Sequence, residues 1–447
     1  MKSVRTPSLA ARGAWLSILI AGLPVAARAQ SSFSGPYPLL DEDVIRYRSA
    51  PPNDAIARLQ HRLDRGEASL DFQGPHGYLL SVLRQLNVPL SSQTLVFTKT
   101  SSQQHLISGA TPRALYFNDN VYLGWVQGGD VVELAAIDPS QGTFFYTLDQ
   151  RRQGQPKFVR REECLQCHAS PTTLGLPGLL LRSVLPAADG WPHFQAESFV
   201  TDHSSPLKQR WGGWYVTGTH GNQRHMGNVS VKDNERPDQM DPDSGANVTS
   251  LKGLFNVAPY PTPHSDLAAL MILAHQTQLH NLINRVNWET RIAIHRQETE
   301  NKARGVAVDT WSQATRRRIH DAVKELLRCM LFADEIRLQA PMKGTSDFAK
   351  EFAAAGPRDS AGRSLRDLDL NHRMFRYPCS FLIYSEAFDA LPKPALDYFY
   401  RQLFDVLSGK DNDAAFSTLS RSDRAAIMSI LRQTKAGLPG YWRASER

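Results

Sequence analysis

The stretch Arg161-Glu162-Glu163-Cys164-Leu165-Gln166-Cys167-His168 constrains this chain more than any other. Its last five residues read C-x-x-C-H, two thiols three positions apart followed by an imidazole. Thiols at that spacing can each add to a vinyl group of one porphyrin, and the histidine is then placed to ligate the iron from one side. With 4 Cys and 14 His in 447 residues, the frequencies multiply to roughly one chance occurrence in a thousand such chains. The motif therefore reads as covalent haem attachment. The competing readings are a redox dithiol, which would normally precede a helix in a βαβ context, and half of a zinc site. No second C-x-x-C exists to complete a zinc ribbon.

The N-terminus fits the same chemistry. Lys2, Arg5 and Arg12 precede an apolar run from Ala14 to Ala26, and Ala27-Arg28-Ala29 supplies a small-x-small cleavage pattern. Residues 1–29 read as a secretory signal peptide cut after Ala29. The run is shorter than the roughly 20 apolar residues of a membrane span and is broken by Gly22 and Pro24. No later run is long and apolar enough to cross a bilayer. Bacteria join c-type haem to its thiols outside the cytoplasm, so export and attachment support each other and place the mature chain in the periplasm.

Removing the leader also corrects the charge. The formal net charge is +7, and Lys2, Arg5, Arg12 and Arg28 contribute four of it with no acid among them, which leaves +3. That balance gives no reason to expect nucleic acid or an anionic membrane as a partner. About 418 mature residues suggest two or three structural units. A small electron carrier needs far fewer, so most of the chain does more than hold a haem.

On Cys164, Cys167 and His168 the chain resembles the c-type cytochromes. The resemblance implies one haem c, bound covalently through the two cysteines, with His168 as the proximal iron ligand. It covers the attachment motif and little more of the chain. Larger bacterial proteins that carry one C-x-x-C-H inside a longer sequence are the nearer likeness.

The surroundings of the motif depart from the small all-helical cytochrome fold. Residues 30–150 read as an α+β region. Ser31 to Pro52 forms an entry arm, and Asn53 or Asp54 caps a helix whose Ile56, Leu59 and Leu63 share a face. A second helix runs from about Tyr78 to Leu86. Strands follow at 94–98, 114–117, 121–126, 131–137 and 143–148, separated by turn-forming residues, so an antiparallel meander is predicted. Residues 151–262 form the haem-attachment region, with a polar link from Gln150 to Arg161, β-like runs at 178–184, 194–201 and 213–219, and loops from 220. Residues 263–447 read as helical, either a layer or a separate domain. One helix runs from the Ser265 and Asp266 cap to about Arg291, and one lies near Trp311 to Asp334. After a Gly-rich loop at 343–363 come a helix opened by Pro394 and one begun by Ser420-x-x-Asp423. The fold class is α+β.

The sixth ligand decides between carrying electrons and binding small molecules. Met226 lies 58 residues after His168 in a Gly-rich loop, a spacing suited to methionine ligation, and its neighbour His225 can substitute. His275 is the other candidate. It falls on one helical face with Leu267, Met271, Leu279, Leu282 and Val286, where an imidazole needs a partner or a metal. His280 falls nearer the polar side. Trp191, Trp211, Trp214 and Tyr215 can wall a haem or simply pack. Arg182, Arg210 and Arg224 can meet haem propionates. Cys329 and Cys379 can pair in an oxidising compartment or stand as two buried thiols.

The leading expectation is a periplasmic monohaem c-type cytochrome that transfers electrons to or from a periplasmic redox partner protein. The alternative is a haem enzyme of peroxidase-like type, or a haem-based gas or redox sensor, with an open or displaceable sixth site. A third possibility makes the haem a structural staple in a binding module.

Overall fold

Turn chemistry cuts the first third of the chain into short strands that pair with their neighbours. The computed structural model describes residues 39–152, 154–193, 196–231 and 240–443; the expected signal peptide, residues 1–29, lies outside them. Strands β1 (Thr94–Val96), β2 (Arg113–Phe117), β3 (Val121–Trp125), β4 (Val131–Asp138), β5 (Gly142–Asp149) and β6 (Phe158–Arg160) form an antiparallel meander. The stretch from Gln150 to Arg161, expected to be a link, thus contributes an edge strand.

The β-like runs after the motif are mostly irregular. They keep β7 (Arg182–Ser183) paired with β8 (Phe199–Val200), then β9 (Trp214–Tyr215) and β10 (Gly218–Thr219). Strand β9 adds to β1 with Leu95 opposite Tyr215, so the seven-stranded order is β6-β5-β4-β3-β2-β1-β9.

Helix α1 (Ala55–Asp64) begins where Asp54 accepts the N–H groups of Ile56 and Ala57 at 2.8 and 3.1 Å. The other oxygen of Asp54 accepts the Tyr146 hydroxyl at 2.5 Å, which ties the helix start to β5. Ile56, Leu59 and Leu63 are buried as the periodicity predicts. Helix α2 (Leu79–Gln85) follows. The described part of the entry arm, from residue 39, is packed. Leu40, Ile45 and Tyr47 are buried, the Tyr47 hydroxyl donates to the Thr143 carbonyl at 2.7 Å, and the Arg160 guanidinium sits 4.9 Å from the Tyr47 ring centre.

A single turn, α3 (Leu165–His168), carries the motif. The long helix α4 (Leu267–Arg304) then crosses the molecule; at 38 residues it runs 13 beyond the expected end. Asp266 caps it by accepting from Ala268 and Ala269. From Leu267 to Asn284 every residue but Gln278 is buried, so α4 has no polar side there and His280 is interior. Its polar residues instead satisfy backbone groups that have no ladder partner. Gln276 donates to the Asn118 carbonyl at 3.0 Å, His280 to the Asp119 carbonyl at 2.7 Å, and Asn284 to the Pro177 carbonyl at 3.2 Å.

Helices α5 (Gln313–Met330), α6 (Phe348–Ala354), α7 (Glu386–Asp389), α8 (Lys393–Leu407) and α9 (Arg421–Thr434) complete the chain, and β11 (Lys343–Gly344) pairs with β10. The predicted Gly-rich loop at 343–363 therefore contains a strand and a helix; buried Phe348 and Phe352 fix α6 against the core. Ser420 and Asp423 form a reciprocal capping box at α9. Helix α4 packs on β5 as well as on α5 and α8, and α8 packs on α9. The described residues fall in one compact unit, in which helix α4 lies against the sheet.

Candidate haem-attachment site

The C-x-x-C-H residues sit on one helical turn immediately after the edge strand. The Arg161 N–H donates to the Phe145 carbonyl at 2.8 Å, extending the β6–β5 ladder to the motif, and the chain then coils. The Cys164 carbonyl accepts the N–H groups of Cys167 at 3.3 Å and His168 at 3.0 Å. Residues three and four apart on such a turn share a face, so the turn gathers two thiols and the imidazole. Cys164 is half-buried, Cys167 exposed and His168 half-buried, and both cysteines are free thiols.

His168 is held by its inner nitrogen. Nδ1 lies 2.9 Å from the Gly178 carbonyl oxygen, an acceptor only, so Nδ1 carries the proton and Nε2 keeps its lone pair. The Gly178 N–H returns a bond to the His168 carbonyl at 2.8 Å, which closes a reciprocal pair. Gly178 is in turn fixed from α4. Asn281 accepts the Leu179 N–H at 2.9 Å and donates to the Leu179 carbonyl at 2.7 Å. A Cβ on Gly178 would fall 2.3 Å from the Asn281 Oδ1, which is why this position has no side chain. The Phe145 ring centre lies 4.7 Å from that of His168 and supports the imidazole from the sheet.

Burial lowers the His168 pKa below the ordinary histidine value, against the opposing Gly178 bond. The imidazole is therefore neutral at neutral pH, the form a metal needs. Burial also pushes the Cys164 thiol up to about 11, with Glu163 and Glu133 adding to the rise. A redox dithiol needs the opposite, a depressed thiol pKa. The charges near the motif come from the sheet. Arg113 on β2 and Glu133 on β4 pair at 2.6 Å and act electrostatically on both Cys164 and His168. Burial works against the Glu133 carboxylate, but Arg113 and the hydroxyls of Ser101 and Ser102 outweigh it and hold its pKa below the usual value.

Each distal candidate is engaged elsewhere. The Met226 sulfur is 3.7 Å from the Ser183 hydroxyl. His225 accepts the Gly227 N–H on Nδ1 at 3.0 Å and lies against Trp211 and His220. Burial, with His220 and Arg224 adding, lowers its pKa to about 3. His275 has both ring nitrogens occupied, Nδ1 by the His203 Nδ1 at 3.1 Å and Nε2 by the Ser380 hydroxyl at 2.8 Å. Among the described residues, no hydrogen bond or ring contact joins His168 to any of the three.

The other candidates hold structure together. Trp211 is fully buried, the Trp214 indole donates to the Arg182 carbonyl at 2.8 Å, and the Tyr215 hydroxyl donates to the Gly109 carbonyl at 2.7 Å. Trp191 is partly exposed beneath the Lys99 ammonium, 5.5 Å from the ring centre. Arg210 is buried and donates to the carbonyls of Ser205 and His203, Arg224 pairs with Asp243, and Arg182 donates to Ser198. Cys329 and Cys379 are separate buried thiols.

Phe145, Gly178 and Asn281 are the positioning residues that sequence reasoning passed over. Gly178 had a signal of its own, a glycine opening an apolar run ten residues after the histidine. Comparison with models of protein families, with curated proteins and with solved structures finds no match to this chain.

The donor set fits a covalently held haem. Two free thiols share a turn with a neutral histidine whose orienting nitrogen is already bonded, the outer-shell arrangement that metal-bound histidines use.

Proposed function

We propose that this protein is a periplasmic monohaem c-type cytochrome that works in electron transfer. The observation that carries the reading is the His168–Gly178 pair, which fixes the imidazole with Nε2 free for iron. Cys164 and Cys167 would hold the haem through thioether bonds, and His168 would be its proximal ligand. The bound group supplies one-electron exchange between ferric and ferrous iron. The chain's own residues orient the imidazole through Gly178 and Asn281 and set the nearby field through the Arg113–Glu133 pair. Cys167 is exposed, and a haem held there would have its attachment edge within reach of a redox partner protein. Among the described residues no helix is long and apolar enough to cross a membrane.

One observation favours the second reading, a haem enzyme or sensor with an open sixth position. Met226, His225 and His275 are each already bonded to other groups. The deciding experiment is the optical spectrum of the protein matured with haem, as ferric, ferrous and ferrous-plus-CO samples. The electron-transfer reading predicts no change on adding CO. A full shift would replace it with the enzyme or sensor.

A further inference from the structure

The helical layer holds a second constellation that the haem reading does not use. One ring nitrogen of His203, one of His275 and the sulfur of Cys329 all lie within 4.8 Å of one another, and all three residues are buried. They come from three segments far apart in sequence, the loop after β8, the third turn of α4 and the last turn of α5. We propose that His203, His275 and Cys329 form a site for a borderline-soft transition-metal ion, zinc or copper, separate from the haem.

The geometry is near that of ligation. The two Nδ1 atoms are 3.1 Å apart. Two nitrogens at that separation, each about 2.0–2.1 Å from an ion, subtend roughly 100° at it, close to a tetrahedral angle. A sulfur in such a site lies roughly 3.5 Å from each nitrogen, and with the three atoms within 4.8 Å of one another a shift of no more than about 1.3 Å brings Cys329 to that distance. Two imidazoles and one thiolate suit zinc and copper and do not suit magnesium or calcium.

The surroundings are those of an oriented ligand set. Ser380 engages the Nε2 of His275 at 2.8 Å, which leaves Nδ1 pointing at His203. The His203 carbonyl accepts from Arg210 at 2.9 Å and from the Ile336 N–H at 3.2 Å, pinning that loop. Asp202 and Asp334 act electrostatically on both His203 and Cys329, and the Arg210 guanidinium acts on His203 with the opposite sign. The two imidazoles bond each other and His275 also bonds Ser380, so a bound ion would take the place of the Nδ1–Nδ1 contact.

Phe332 closes the site. Its ring stacks on His275 with centres 4.3 Å apart and lies 4.9 Å from His203. It sits just past α5 with a left-handed φ of 55°, a conformation that favours glycine over phenylalanine. The same ring borders a surface cleft with Glu335, Leu338, Arg373 and Pro378. On binding, the proton between the two Nδ1 atoms moves to whichever outer nitrogen lacks one, so that each imidazole carries its proton on Nε2. The Cys329 thiol loses its proton to solvent, and no redox change is involved.

The test uses the haem-loaded protein, in which thioether bonds take Cys164 and Cys167 out of competition. It is dialysed separately against Zn(II) and Cu(II), and the metal retained per haem iron is measured by elemental analysis. X-ray absorption at the edge of the retained metal then reads its ligands. One equivalent with one sulfur and two imidazole scatterers is expected. Cys329→Ser should weaken retention by more than about 100-fold, since loss of an outer-shell partner alone costs about 10–100-fold, and should leave the haem spectrum unchanged. No retained metal, a retained metal without sulfur, or retention unaffected by Cys329→Ser would overturn the site. A change in haem ligation in His275→Ala would also overturn it, by returning His275 to the iron. Should the variants fail to fold, the absorption spectrum of the unaltered protein decides alone.

Discussion

At the scale of single residues, the account turns on how one imidazole is aimed. His168 does not orient itself; it leans on a carbonyl that Asn281 holds in place from a helix more than a hundred residues away. Gly178→Ala puts a methyl where the Asn281 Oδ1 already lies at 2.3 Å, so the carbonyl must shift. We expect a loss of about 1–3 kcal/mol in stability, as for other overpacked interiors, and a changed haem potential, read by denaturant melts and redox titration. A stability loss with an unaltered potential would mean that the carbonyl does not tune His168. The thiols and the imidazole were legible in the sequence because their chemistry is local. Asn281 was not, because nothing in a helical pattern says that one polar residue on a buried helix will clamp a loop carbonyl.

At the scale of elements, the caps and the meander explain why the site has a firm platform. Asp54 both caps α1 and accepts the Tyr146 hydroxyl of β5. Asp54→Ala should therefore cost about 2–3 kcal/mol, the cap about 1 kcal/mol and the orphaned hydroxyl the rest. Asp54→Asn, which keeps an oxygen there, should recover most of it in urea unfolding. The strands and the capped helices were readable because alternation, turn residues and cap residues act over a few positions. Helix α4 was misjudged for the opposite reason. By period alone His280 and Asn284 fall toward a polar side, and only the tertiary structure reveals that loop backbones meet them. The short helix α6 was hidden in the same way, its start marked only by Phe348 and Phe352.

At the scale of the whole molecule, sheet and helical layer share one core, and acid should undo it from within. His280 donates from Nε2 to the Asp119 carbonyl while its Nδ1 is buried with no partner, and burial lowers its pKa to about 4. The unfolded chain takes up this proton near pH 6.5. The stability His280 contributes is thus complete above about 6.5 and is lost as pH falls through about 4. Thermal midpoints should drop across that window, and His280→Gln, which cannot titrate, should flatten the drop; an unchanged slope would contradict this. The central proposal, covalent haem on Cys164 and Cys167 of an exported chain, is tested most directly by the mass of the protein produced with the haem-attachment machinery. The account predicts a chain beginning at Gln30 that carries one haem, with the added mass on the peptide holding Cys164 to His168 and lost in the Cys164→Ala, Cys167→Ala double variant. An unmodified peptide, or haem that dissociates from a fully loaded protein on denaturation, would contradict it.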